Sequence, residues 1–134
     1  MTAVEPFVLH ETDRVVEGGS GRDFGALTWR TLISGDRMRT DSLTAGVAEL
    51  PPGELDHVGL HRHAQPEIYY VLAGDGILTI DGIDYALRAG STAFIPGDSW
   101  HAARNTGAST LRIFYVFAAD SFSDVVYEFA PIDE

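Results

Sequence analysis

The sequence predicts an all-β fold, a small sandwich or barrel, on three observations: short β-rich runs at regular spacing, turn chemistry between them, and almost no helical periodicity. A chain of 134 residues, 45% hydrophobic and 22% charged, suits one domain with a core of useful size. Strands are read at residues 27–33, 42–49, 67–72, 77–80, 85–87, 92–95 and 111–117, many of them alternating or wholly apolar. Asp81-Gly82 supplies the chemistry of a primed hairpin turn, because both residues tolerate a positive φ. Ala73-Gly74-Asp75-Gly76 and Arg88-Ala89-Gly90 mark further corners, and only residues 120–126 offer a capped single helical turn. Residues 1–23 read as an N-terminal arm, with 17–22 (EGGSGR) as a flexible loop, and residues 24–134 as the barrel with a C-terminal tail.

Composition removes several function classes. A net charge of −11 lacks the basic footprint of a phosphate-backbone binder, so no nucleic-acid partner is expected. All nine basic residues are arginine, which excludes a Schiff-base lysine and a P-loop lysine. Zero cysteines exclude disulfides, thiol nucleophiles and thiolate metal sites, leaving His, Asp, Glu and water as ligands. Residues 1–9 carry neither a basic region nor a long apolar one, and no stretch reaches the roughly 18 apolar residues of a membrane span. The chain reads as cytoplasmic, without a membrane partner.

The histidines carry the chemistry. His61 and His63 stand at i and i+2 and point the same way in a strand. Glu67 opens the next apolar run after Gln65-Pro66, and two His with one carboxylate are a common set for a divalent metal with open positions. His101, directly behind the turn Pro96-Gly97-Asp98, sits where a returning strand could add a fourth ligand. His10 and His57 have no partners at ligand spacing and read as solvated or hydrogen-bonded side chains.

His61-Arg62-His63-Ala64-Gln65-Pro66-Glu67, followed by Gly74, resembles the first cupin motif, and residues 90–105, with Pro96, His101 and Asn105, resemble the second. In the second motif the glycine falls at Gly97, one position before its usual place. The resemblance implies a double-stranded β-helix, or jelly-roll barrel, in which His61, His63, Glu67 and His101 hold one divalent transition metal per subunit. Iron, manganese, nickel, cobalt or zinc would fit. An octahedral ion would keep two cis positions for a small-molecule carboxylate substrate.

Alternation through 67–72 turns Glu67, Tyr69 and Val71 inward and Ile68, Tyr70 and Leu72 outward. Tyr69 would then neighbour the metal, where a phenolate is favoured and could act as a general base; otherwise it lines the barrel and donates one hydrogen bond. The outward apolar stripe calls for a cover, and the resemblance implies a homodimer that would also give residues 7–9 a place to pack.

Over residues 24–131 the chain is similar in particular to the short single-domain cupin dimethylsulfoniopropionate lyases. The matching runs are Trp29-Arg30-Thr31-Leu32-Ile33, Ala48-Glu49-Leu50-Pro51-Pro52-Gly53, Pro66-Glu67-Ile68-Tyr69 and the tail through Phe114-Tyr115-Val116-Phe117 to Tyr127. The resemblance implies that Tyr69 removes a proton from the carbon next to the substrate carboxylate, that Tyr127 assists, and that dimethyl sulfide leaves to give acrylate. Trp29, Trp100, Tyr115 and Tyr127 could offer aromatic faces to the sulfonium. A cupin oxygenase or isomerase acting on another small carboxylate, and a non-catalytic ligand-binding cupin, use the same layout.

Overall fold

Turn residues and alternating apolar positions divide the chain into short strands, which the computed structural model, describing residues 4–19, 23–53 and 58–131, assembles into two antiparallel sheets. One has the order β1 (Glu17–Gly18), β2 (Thr28–Ile33), β3 (Thr44–Leu50), β10 (Leu111–Phe117), β5 (Glu67–Ala73) and β8 (Thr92–Ile95). The other runs β11 (Glu128–Phe129), β4 (His61–Arg62), β9 (His101–Asn105), β6 (Asp75–Ile80) and β7 (Ile83–Arg88). Strands 3, 10, 5 and 8 are neighbours far apart in sequence, the crossing connectivity of a jelly roll, so an all-β jelly-roll barrel is the observed fold. No helix among the described residues is long and apolar enough to cross a membrane.

Local chemistry accounts for most strand ends. Residues 92–95 and 111–117 are strands at the expected bounds, and the others shift by one to two residues at their ends. Ile80 and Ile83 pair across Asp81 (φ 48°) and Gly82 (φ 83°), so the turn is the primed type that Asp-Gly favours. The single turn in the tail is a 3-10 turn at Phe122–Asp124. Another, at Glu11–Asp13, is capped by His10, whose ring accepts from the Thr12 N–H at 3.2 Å. Glu17 and Gly18, read as loop, instead form the edge strand β1 against Trp29 and Thr28. Two-residue strands such as β1, β4 and β11 carry no period; they are set by partners across the sheet.

The barrel interior has two ends of different character. Leu50, Val71, Leu78, Leu87, Ile95 and Leu111 close one with aliphatic packing. At the other, Tyr115 and Phe117 meet Trp29, Tyr69, Phe122 and Tyr127, leaving an aromatic end. Outside, the arm crosses β2 and β10: Arg30 donates to the Glu11 carbonyl at 3.4 Å and to the Arg14 carbonyl at 2.6 Å, and Arg112 pairs with Glu11.

Candidate metal centre and cavity

Strand pairing brings the four expected ligand residues together. His61 and His101 are direct partners across β4 and β9, and Glu67 begins β5 opposite Phe117 and Ile95. His63 follows β4 with the inward phase of His61, while Arg62 between them turns outward to pair with Glu128 at 2.6 Å. Both histidines of that pair, and His101 and Glu67, are buried.

Each imidazole is oriented by its own backbone. The Nδ1–H groups donate to the carbonyls of Gly59 at 2.7 Å (His61), Gln65 at 2.9 Å (His63) and Ser99 at 2.9 Å (His101). A carbonyl only accepts, so these bonds place the proton on Nδ1 and leave Nε2 as a lone pair in the neutral ring. The histidine ligand atoms lie within 4.8 Å of one another. Glu67 Oε1 is 3.2 Å from His63 Nε2 and 3.4 Å from His101 Nε2, and the buried His101 Nε2 has no hydrogen-bond partner. Converging lone pairs beside a carboxylate fit a divalent cation as the missing partner. Burial, then the neighbouring His101, pushes His61 down to about 4, which keeps it in the neutral form a metal needs.

The turn behind His101 explains the shifted glycine. Asp98, at the motif's usual glycine position, itself adopts the left-handed φ of 64°, which Asp tolerates better than most residues. Gly97 is required for another reason: a Cβ there would lie 2.3 Å from the Ala64 carbonyl oxygen.

Beside the cluster opens a cavity walled mainly by apolar and aromatic side chains. His61 and Glu67 reach its wall, together with the phenols of Tyr69, Tyr115 and Tyr127. The Tyr127 ring centre is 5.4 Å from that of His61 and 5.3 Å from that of His63, so the tail tyrosine meets the cluster directly. Burial, then the charge of Glu67, pushes all three phenols above their usual range. The Tyr115 hydroxyl is buried without a partner and lies over Gly46, where a Cβ would come within 2.3 Å of it.

Ile68, Tyr70 and Leu72 face outward as alternation requires, at 44%, 44% and 39% exposure. Trp29, Tyr115 and Tyr127 line the cavity, but Trp100 does not: its ring lies outside, under the Arg62 guanidinium at 4.5 Å, because Trp100 precedes the inward His101. Phe24, Phe117 and Phe122 complete the aromatic wall and were not singled out by the sequence; no local spacing links them. His10 is exposed, as expected, and His57 lies outside the described residues.

A jelly-roll barrel with three buried histidines that could hold a metal ion defines the class of protein. The chain belongs to the cupin superfamily, the cupin domain family matching residues 46–117. It is 38% identical over 124 residues to the dimethylsulfoniopropionate lyase DddW of Ruegeria pomeroyi, covering 92% of this chain and 80% of that protein. It is also 33% identical over 93 residues to an oxalate-binding protein of Thermotoga maritima, covering 69% of this chain and 75% of that one. The polyketide cyclase RemF of Streptomyces resistomycificus shares the fold, with a TM-score of 0.77 at 22% identity over 97% of this chain and 89% of that one.

Proposed function

We propose that this protein is a metal-dependent carbon–sulfur lyase that cleaves dimethylsulfoniopropionate to dimethyl sulfide and acrylate. The observation that carries the reading is that Tyr69 and Tyr127, the two tyrosines of the lyase resemblance, line one cavity with His61 and Glu67. The DddW relative, matched over 92% of the chain, supports the substrate.

His61, His63, Glu67 and His101 would hold the metal. When bound, a divalent cation supplies a Lewis-acid contact for the substrate carboxylate and the positive charge that favours an ionised phenol. The Tyr69 oxygen takes the proton from the carbon next to the carboxylate. That electron pair forms the double bond of acrylate as the carbon–sulfur pair leaves with dimethyl sulfide, and the proton on Tyr69 then returns to water. Tyr127 holds the substrate against the cluster, and the apolar wall excludes bulk water from the proton transfer.

Metal-loaded protein incubated with dimethylsulfoniopropionate should release dimethyl sulfide into the headspace and acrylate into solution. A second reading, a cupin that binds a small carboxylate without turnover, is favoured by the oxalate-binding relative. Saturable carboxylate binding with no sulfide release would decide for it.

A further inference from the structure

Four rings on the cavity wall form a closed circuit drawn from three segments: Phe24 before β2, Trp29 on β2, and Phe122 and Tyr127 in the tail. Phe24 meets Trp29 at 5.5 Å between ring centres, Trp29 lies parallel to Phe122 within 3° at 6.3 Å, Phe122 meets Tyr127 at 6.3 Å, and Tyr127 returns to Phe24 at 5.4 Å. All four line the cavity, and neither Arg nor Lys does among the described residues. Aromatic faces carry negative charge density and attract a cation whose own hydration is weak. A purely aliphatic wall would do the opposite, since moving a charge out of water costs free energy. The rings adjoin the histidine cluster, with Tyr127 against His61, so one small ligand can present an anion to one end and a cation to the other.

We infer that Phe24, Trp29, Phe122 and Tyr127 form an aromatic box that selects a ligand bearing a small permethylated onium group and discriminates against its neutral isostere. This deepens the lyase reading, on which it rests only for the identity of the onium as a sulfonium. The box sets which substrates enter; it takes no part in the proton transfer.

Two probes test it by calorimetric titration of the protein as purified: the trimethylammonium analogue of dimethylsulfoniopropionate, and its carbon isostere with a quaternary carbon in place of nitrogen. Both carry the same carboxylate, so their Kd ratio isolates the onium end. The ammonium should bind at least about tenfold more tightly. Phe122→Leu, which leaves every charge in place, should cut that ratio at least about threefold, and Phe122→Tyr should preserve it. Trp29→Leu should repeat the fall and Trp29→Phe restore most of it. A ratio near one in the unchanged protein, a ratio unaltered by Phe122→Leu and Trp29→Leu, or no binding of either probe overturns the box. Headspace sulfide is read separately: onium preference without sulfide release keeps the box and removes the lyase, and sulfide release without preference does the reverse.

Discussion

Removing one imidazole from the cluster takes away a proposed ligand that is already oriented by a backbone carbonyl, and among the described residues no other histidine joins the group. His63→Ala and His101→Ala should therefore lose most bound metal, while His10→Ala and His57→Ala keep it. Metal content by plasma emission spectrometry checks this, and equal content in all four variants would remove the site. Tyr69 is tested by subtraction of one oxygen. Tyr69→Phe should keep fold and metal and lose at least about 100-fold in turnover, the usual scale of a general base. Near-normal turnover would return Tyr69 to a lining role. At this scale the sequence was informative, because the i, i+2 spacing of His61 and His63 and the inward phase of Tyr69 follow from strand alternation alone.

Among the elements, the arm is held by charge. The hydrogen bond from Arg112 keeps the Glu11 carboxyl below its usual value of 4.5, and Arg112 also meets Glu49 at 3.4 Å. With the folded value depressed, this clip contributes its stability above the unfolded value and loses it as pH falls through the lower folded value. The contribution is below about 1 kcal/mol, because both side chains remain partly in water. Protection factors at the arm, referred to the intrinsic exchange rate at each pH, should therefore fall below pH 4.5 with those of the barrel maintained, and Arg112→Gln should reproduce this at neutral pH. An arm equally protected in both cases would show that Arg30, through the Glu11 and Arg14 carbonyls, suffices. None of this was legible in residues 1–23, since Glu11 and Arg112 are 101 positions apart.

For the whole molecule, the open question is what covers the outer face of β5. The arm crosses β2 and β10 and leaves Ile68, Tyr70 and Leu72 exposed, and Phe94, the partner of Ile68 on β8, extends the stripe at 65% exposure. We propose that a second copy of the chain covers it. Light scattering at micromolar protein should give twice 14.5 kDa, and Tyr70→Asp should halve that mass with metal retained. A single-chain mass in the unchanged protein would leave the stripe exposed to solvent.

By itself the sequence determined whatever depends on neighbours a few residues away: the all-β class, the primed turn at Asp81-Gly82, the placement of seven strands to within two residues, and the inward phase of His61, His63, Glu67 and Tyr69. Turn propensity and alternation act locally, so they are written locally. Only the tertiary structure decided the wall of the cavity. Phe24 comes from the segment before β2, Phe122 and Tyr127 come from the tail, and their rings meet around Trp29 only once the barrel has brought its two sheets together. Trp100 shows the converse, an aromatic residue next to a site histidine that strand alternation turns outward, under Arg62.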